Sequence, residues 1–301
     1  MSPRIYHSVT EPPQGRIFAG ELLMRDLGVV IAVRNEEKSI GGVLHALDDQ
    51  TQRPVEVVVV NDGSTDQTLD VLKEISAEVH FKTTVVTLPF HSKSLVGRPE
   101  LARVFNSGLT VLRERSPSVD YVMILGGDHA LPPYYVERIV GRMEEDERLA
   151  VASGWITNEP FWENTPRGSS MIVRAQFWEK AGKMHFPVSY GWESWVYLKA
   201  KQMGYRTRSF KDIPTSISRK TNLMKGVLYG RAMYALGYDW IYALGRSLLV
   251  ARKSPRASFQ MLAGYLDHRG VTRLDVSSYL GAEQRRMILR RAAHLLVHSN
   301  R

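Results

Sequence analysis

The 301-residue sequence contains no cysteine and no long apolar run. Without thiols the chain has no disulfides, thiolate metal ligands or cysteine nucleophiles, a composition common in reducing compartments. A membrane-spanning helix needs about 20 consecutive apolar residues, and the best candidate, residues 226–250, is interrupted by Arg231, Asp239 and Arg246. Residues 1–18 also lack the apolar segment of a secretory signal peptide. We therefore expect a cytoplasmic protein.

Positive charge is concentrated near the C-terminus. The whole chain has a net charge of +9, and residues 219–301 contribute 15 Lys/Arg and 4 Asp/Glu, whereas residues 1–218 carry a net charge of −2. This distribution argues against a nucleic-acid-binding domain that extends over the whole chain, and no nucleic-acid partner is expected. It indicates a basic appendage on a nearly neutral body.

Short apolar runs alternate with helical patterns in the first half of the chain, which predicts an α/β fold with a mainly parallel sheet. The apolar runs predict buried strands at residues 28–33, 56–60, 83–88 and 121–125. Further strands are predicted at 149–156, 168–174 and 205–210, and helices at 100–114, 174–183, 193–203 and beyond Arg219.

Polar residues follow three of the predicted strands: Asn35-Glu36, Asn61-Asp62-Gly63 and Gly127-Asp128. In parallel sheets ligands bind at the carboxyl ends of the strands, which share one edge. A single Asp-Gly pair is ordinary turn chemistry. Three such clusters at one edge predict a pocket for a polyhydroxylated or cation-bound ligand.

Four segments, in this order, resemble the motifs of family 2 glycosyltransferases: VVIAVRNEEKSIGGVL, VEVVVVNDGSTDQT, ILGGDHALPPYYVERIV and GWESWVYLKAKQMGYR. The resemblance covers roughly residues 27–210. It implies a GT-A fold, in which helices flank a mainly parallel twisted sheet, with a basic helical C-terminal appendage added in this chain. It also implies a nucleotide-sugar donor, Mn²⁺ or Mg²⁺, and inversion at the anomeric carbon.

The resemblance implies a set of residues that bind the donor. Glu36 corresponds to the residue that accepts hydrogen bonds from the ribose hydroxyls, and Asp62 to the residue that accepts one from the base. Gly63 and Gly127 allow close approach of the backbone to the ligand, and Arg98 suits the diphosphate. The family's usual Pro-Ala-Tyr, which makes backbone contacts, is replaced by Ala32, Val33 and Arg34.

The resemblance further implies that Asp128 binds the metal and that Glu193 is the general base. Trp192 is most simply interpreted as part of the core or of a cleft wall, and the alternative is an acceptor-side residue that stacks on an acceptor sugar. Two departures are visible. The family's DXD motif reads Gly126-Gly127-Asp128, so the first acid is missing, and residues 212–221 contain no histidine at the place of the family's second metal ligand. Glu193 also opens a predicted helix, where an acid is favoured electrostatically whatever its role.

These observations predict three regions: an N-terminal extension at 1–26, a GT-A catalytic domain at 27–218 and a basic, mostly helical region at 219–301. The main hypothesis is a hexosyltransferase that transfers one sugar from a UDP- or GDP-sugar to a hydroxyl or a lipid-linked phosphate. The acceptor would be a glycan or a polyprenyl phosphate. The basic region would contact the inner face of a membrane peripherally or form a solvated face packed on the body.

Two alternatives follow from the same residues. The reduced DXD motif and the missing histidine are also compatible with a catalytically degenerate relative that binds nucleotide or lipid and acts as a partner protein. A nucleotidyltransferase that makes nucleotide sugars is less favoured. Such enzymes carry a glycine-rich loop after the first strand, and here that loop reads Arg34-Asn35-Glu36-Glu37.

Overall fold

The computed structural model describes residues 25–157, 159–218 and 226–299, with side chains up to residue 291. The predicted N-terminal extension therefore lies almost wholly outside the described residues. In this part of the chain the strands are β1 (Leu27–Val33), β2 (Glu56–Asn61), β3 (Lys82–Thr87), β4 (Tyr121–Gly126), β5 (His129–Ala130), β6 (Leu149–Ile156), β7 (Met171–Arg174) and β8 (Arg206–Ile217). The helices are α1 (Ile40–Asp48), α2 (Thr68–Ile75), α3 (Glu100–Arg115), α4 (Tyr135–Glu144), α5 (Ala175–Gly182), α6 (Trp192–Gln202), α7 (Gly226–Leu236), α8 (Trp240–Ala251), α9 (Pro255–Leu266) and α10 (Ser277–Ser299).

The strands form one mixed sheet in the order β3-β2-β1-β4-β7-β6-β8-β5. The first four are parallel to one another, β7 is antiparallel to β4 and β6, and β6 runs parallel to β8. All six residues of β2 are buried, as is usual for a parallel strand that is covered on both faces. The predicted α/β architecture with a mainly parallel sheet is confirmed.

Alternate residues of the central strands pack in opposite directions because successive side chains point to opposite faces. Val30 and Val58 join a core that includes Leu109 of α3 and Trp195 of α6. The neighbouring apolar residues of the same strands pack with α1 and α4 in a second core. The buried residues of α1 are the four of its apolar stripe, Ile40, Val43, Leu44 and Leu47. The sheet is thus covered by helices on both faces.

β8 is longer than the short strand expected at 205–210. It pairs with β6 from Arg206 to Thr215, with a register shift between Gly154 and Trp155 of β6, and its last two residues pair with the short β5. A Cβ atom at Gly154 would lie 2.2 Å from the carbonyl oxygen of Ile213, so β8 approaches there too closely for any side chain. The sequence does not indicate this extension, because Lys211 and Asp212 are polar and Pro214 is uncommon within a strand.

The C-terminal helices pack directly on the α/β body. Leu236, Leu274 and Val276 belong to the same core as Trp195. The Asp275 carboxylate accepts hydrogen bonds from Trp195 Nε1 at 2.6 Å and Lys199 Nζ at 2.6 Å. The described helices are each too short or too polar to pass through a lipid bilayer.

Candidate functional site

The three polar clusters lie together at the carboxyl edge of β1, β2 and β4. In the sheet register Val33 is opposite Asn61, and Ala32 is opposite Gly126. The backbone N–H of Asp62 donates to the carbonyl of Val33 at 2.9 Å, so the pairing of β1 with β2 continues into the loops. The expected common edge is therefore present in the structure.

Two glycines at the end of β4 allow the loops at this edge to pack closely against each other. A Cβ atom at Gly127 would lie 2.8 Å from Val33 Cγ1 and 3.1 Å from Glu36 Cγ. One at Gly126 would lie 3.2 Å from a carboxylate oxygen of Asp128 and 3.2 Å from Ser169 Oγ. The turn before Asp128 therefore packs against Glu36 only because residue 127 has no side chain. An acid at position 126 would crowd Asp128.

Short hydrogen bonds hold Glu36 and the loop around it. Ser39 Oγ donates to Glu36 Oε2 at 2.8 Å, and the Glu36 backbone N–H donates to Thr68 Oγ1 at 2.8 Å. Asn35 adopts a left-handed conformation with φ of 55°, and its Oδ1 accepts from the backbone N–H of Thr65 at 2.8 Å. The loops after β1 and β2 are thereby fixed to each other.

Asp62 lies in a short chain of polar contacts with Arg34 and His91. Asp62 is 6% exposed, and its Oδ1 lies 3.0 Å from His91 Nε2. Arg34 Nη1 lies 2.8 Å from His91 Nδ1, and the Arg34 guanidinium also donates to the backbone carbonyls of His91 and Lys93. Because Arg34 can only donate, His91 accepts at Nδ1 and donates to Asp62 from Nε2 in this arrangement.

A cavity of about 690 Å³ opens beside Asp62. Three cations, Arg98, Arg103 and Lys93, line it together with two acids, Asp62 itself and Glu100. Asp62 and Arg98, which the sequence predicted to act on the base and the diphosphate, thus share one basic cavity of the size that suits a small ligand.

Gly63 contributes to the closed shape of this region. Its φ is 66°, and a Cβ atom there would lie 2.7 Å from Phe90 Cα and 2.9 Å from the carbonyl oxygen of Pro89. The loop that carries His91 therefore passes directly over this glycine.

Asp128 lies in the turn between β4 and β5. Its backbone carbonyl accepts from the N–H of Ser218 at 3.1 Å, and Ser169 Oγ lies 3.1 Å from both the Gly126 N–H nitrogen and His129 Nδ1. His129 is 4% exposed, and burial lowers its pKa to about 4, although Asp128 opposes this shift. The imidazole beside Asp128 is therefore neutral near pH 7.

The residues around Asp128 fit a divalent cation that is held mainly by substrate. The described residues contain no group of three or more acidic or imidazole side chains arranged to hold a metal ion. Mg²⁺ is typically bound by one or two carboxylates together with substrate phosphates rather than by an all-protein cage. His129 Nε2 is also buried without a hydrogen-bond partner in the described residues. A single carboxylate, Asp128, beside a diphosphate is thus a suitable donor set.

Glu193 lies at the start of α6, beside the Gly168-Ser169 segment. A Cβ atom at Gly168 would lie 2.7 Å from Glu193 Oε2, so the carboxylate packs on this segment. The residue is exposed to solvent, and the protein around it partly desolvates its carboxylate. This desolvation raises the pKa of Glu193, Arg167 opposes the increase and Glu159 adds to it. Arg167 Nη2 lies 2.5 Å from Glu159 Oε2.

Trp192 is packed in the aromatic core. It is 3% exposed, and its ring centroid lies 5.4 Å from that of Phe105 and 4.7 Å from that of Phe186. This position agrees with the simpler of the two interpretations of Trp192 and leaves little of its surface available to an acceptor sugar.

Three neighbours of the predicted site residues were not foreseen: His91, Glu159 and Arg167. Glu159 and Arg167 follow β6, whose carboxyl end lies at the same edge as those of β1, β2 and β4 because β6 and β4 are both antiparallel to β7. The strand-end rule would have found them, had the direction of β6 been known from the sequence. No pattern in the sequence indicates that His91 contacts Asp62.

Known proteins resemble this chain in both sequence and structure. A family model described as glycosyl transferase family 2 matches residues 28–213. A 4,4'-diaponeurosporenoate glycosyltransferase of Staphylococcus aureus is 49% identical over 55 residues, 18% of this chain and 14% of that relative. The match thus spans a small part of the relative's own length.

Two solved structures share the fold. The mannosyltransferase PcManGT from Pyrobaculum calidifontis, in complex with GDP-Man and Mn²⁺, is 17% identical with a TM-score of 0.55, and the match covers 87% of this chain and 80% of that one. S. aureus TarS in complex with UDP-GlcNAc is 18% identical with a TM-score of 0.53, and the match covers 80% and 75%. At such identities the likeness concerns the fold, and it confirms the predicted GT-A fold.

Proposed function

The chain belongs to glycosyl transferase family 2, and we propose that it transfers a single sugar from a UDP- or GDP-sugar to an acceptor hydroxyl or lipid-linked phosphate, with inversion at the anomeric carbon. The observation that carries this proposal is the convergence of Glu36, Asp62 and Asp128 at one sheet edge, beside a basic cavity. Solved structures of the same fold hold UDP-GlcNAc or GDP-Man, which supports a nucleotide-sugar donor.

In this proposal the nucleotide occupies the edge formed by the loops after β1 and β2. Asp62 accepts a hydrogen bond from the base through the oxygen that His91 leaves free, and Glu36 binds the ribose hydroxyls. Arg98 binds the diphosphate, for which a guanidinium has matching charge and geometry. The backbone of residues 32–34 and Gly127 forms the floor of the site.

Glu193 acts as the general base that removes a proton from the acceptor hydroxyl. Its raised pKa makes it a stronger base than an ordinary carboxylate, which suits proton transfer near neutral pH. Asp128 would bind Mn²⁺ or Mg²⁺, and the bound ion would supply positive charge that stabilises the departing nucleoside diphosphate. Mn²⁺ in the PcManGT complex supports a divalent metal.

The C-terminal helices offer a surface for peripheral contact with the inner face of a membrane. Trp240, Leu244 and Leu248 follow one another at spacings of four residues on α8 and are 65%, 41% and 61% exposed. Phe259 on α9 is 74% exposed. We call these four side chains the α8–α9 apolar face. Arg252 and Lys253 lie between the two helices and Arg256 lies in the first turn of α9, and this charge is complementary to anionic lipid.

The function is tested by mutating Asp128. Asp128→Ala is expected to abolish sugar transfer, measured as release of UDP or GDP from a panel of nucleotide sugars with Mn²⁺, because the leaving group loses its electrostatic support. A fully active variant would contradict the assignment of Asp128.

The same assay separates the enzyme from the degenerate relative. A wild-type protein that binds nucleotide sugar but never releases UDP or GDP from any donor would favour the partner-protein alternative. The missing acid at position 126 motivates that alternative. We also propose that the boundary between the catalytic domain and the basic C-terminal region lies between residues 218 and 219.

A further inference from the structure

One face of α6 runs from the proposed base into a second, basic cavity. Glu193, Tyr197 and Lys201 are spaced four residues apart, so they lie on the same side of the helix. Eight residues of α-helix span about 12 Å. Tyr197 and Lys201 line a cavity of about 610 Å³ that is separate from the cavity beside Asp62. The face of α6 that carries Glu193 therefore also carries two side chains that line this second cavity.

Cations outnumber acids in the lining of this cavity. Arg286, Arg290 and Arg291 of α10 line it with Lys201, and its one acid, Glu283, pairs with Arg286 at 2.7 Å. Lys201 Nζ donates to the carbonyl of Asn164 at 2.6 Å, and burial lowers its pKa. Within the described residues no carboxylate lies within ion-pair distance of Lys201, Arg290 or Arg291. Three of the cations that line the cavity therefore have no acidic partner among the described side chains.

A further cation lies behind the tyrosines that line the cavity. Tyr197, Tyr238 and Tyr242 are part of the lining, and the charge of Arg246 on α8 acts on the first two. The Arg246 guanidinium lies 5.2 Å from the centroid of the Tyr229 ring. Its Nε is buried without a hydrogen-bond partner in the part of the chain described. Arg246 is half-buried and hydrogen-bonds Tyr229, yet among the described side chains no carboxylate pairs with it to offset its desolvation.

We propose that this basic cavity binds an anionic group, a phosphate or a carboxylate, of the acceptor whose hydroxyl group reaches Glu193. This assignment of the acceptor rests on the proposed function. Guanidinium groups bind phosphate and carboxylate with two parallel hydrogen bonds, and tyrosine hydroxyls can donate to the remaining oxygens. The cavity has the volume of a small-molecule site.

The anion site is tested by titration of the full chain with inorganic phosphate and with hydroxydecyl phosphate, which carries a hydroxyl at the far end of its chain. The variant Lys201→Gln/Arg290→Gln is expected to weaken both bindings at least tenfold. The control, Arg269→Gln, removes a cation that is 97% exposed on the loop after α9 and should leave them within twofold. No saturable phosphate binding, or equal weakening in both variants, would overturn the proposal.

Two vesicle types identify the source of the anion. If the site takes a lipid headgroup, the protein binds phosphatidylglycerol vesicles more tightly than it binds hydroxydecyl phosphate. The wild-type protein then also prefers phosphatidylglycerol to phosphatidylcholine vesicles, and Lys201→Gln/Arg290→Gln removes most of this preference. If the site takes a soluble phosphate, the double variant loses hydroxydecyl phosphate binding but keeps vesicle binding. Either result supports the proposed chemistry, and a variant unchanged in both assays overturns it.

The link to the acceptor is measured in sugar transfer. The wild-type protein is expected to glycosylate hydroxydecyl phosphate with a kcat/KM at least tenfold above that for decanediol, and the double variant should lose this preference. Equal use of the two acceptors, including no use of either, would overturn the role in acceptor binding. Titration with UDP and GDP is run in parallel, because a failure to bind either nucleotide would instead contradict the proposed function.

Discussion

At the scale of single residues, the absence of side chains at positions 126 and 127 shapes the candidate site. The resemblance to family 2 implies an acid at the first of these positions. Here a Cβ atom at residue 126 would be 3.2 Å from a carboxylate oxygen of Asp128, and one at residue 127 would be 2.8 Å from Val33 Cγ1. Side chains at both positions would therefore crowd the neighbours of Asp128 and Glu36.

Gly127→Ala is expected to weaken donor binding while the fold is retained. The new methyl group would push apart Val33 and Glu36 of the proposed nucleotide site, and a misplacement of this kind can cost about 100-fold in activity. Titration with UDP- and GDP-sugars and the rate of sugar release measure the effect. Gly141→Ala is the control, because its Cβ atom on α4 would meet nothing within 4 Å. Equal behaviour of the two variants would contradict the role of Gly127.

Glu193 predicts a specific pH dependence. A base must be deprotonated, so activity rises with pH through the pKa of Glu193, which crowding by protein holds above the ordinary value of about 4.3. Glu159→Gln removes a charge that raises this pKa and should move the acid limb of kcat/KM to lower pH. Arg167→Gln removes a charge that lowers it and should move the limb to higher pH. Shifts in the same direction would exclude Glu193 as the titrating base.

At the scale of elements, periodicity and strand ends predict most of the body. The strands β1 to β4 and helix α3 form close to the expected bounds, because their valine, isoleucine and leucine residues repeat at strand or helix spacing. The part of β8 beyond residue 210 was missed because it is a polar segment whose pairing with β6 and β5 depends on tertiary contacts. The burial of Trp192 likewise depends on Phe105, which is distant in the sequence.

The α8–α9 apolar face predicts membrane contact by two helices. Leu244→Lys/Leu248→Lys is expected to reduce co-sedimentation with phosphatidylglycerol vesicles by about tenfold or more, because two exposed leucines each contribute about 1.5 kcal/mol or more on burial in lipid. The control is Leu289→Lys, which changes a leucine on α10 that is 68% exposed. Unchanged sedimentation of the α8 variant, or an equal loss in the control, would contradict this surface.

At the scale of the whole molecule, the chain combines a GT-A body with helices that extend its core. The fold could be predicted from the sequence because each parallel strand is a short apolar run that is followed by a helical pattern. The group of side chains between the body and the C-terminal helices could not be predicted from the sequence. Its members Tyr197, Arg246 and Arg290 come from three separate helices that meet only in the folded chain. The donor edge and the acceptor cavity are proposed as two separate sites, as a transfer between two substrates requires.

Calorimetric titration of UDP- and GDP-sugars into the full chain, with and without Mn²⁺, tests the proposed donor site most directly. We predict saturable binding of one donor class, tightened at least tenfold by Mn²⁺ in the wild-type protein and not in Asp128→Asn, because the variant removes the carboxylate charge that holds the ion. Absence of saturable binding for every donor, or an equal effect of Mn²⁺ on the wild-type protein and the variant, would contradict the nucleotide-sugar site at this sheet edge.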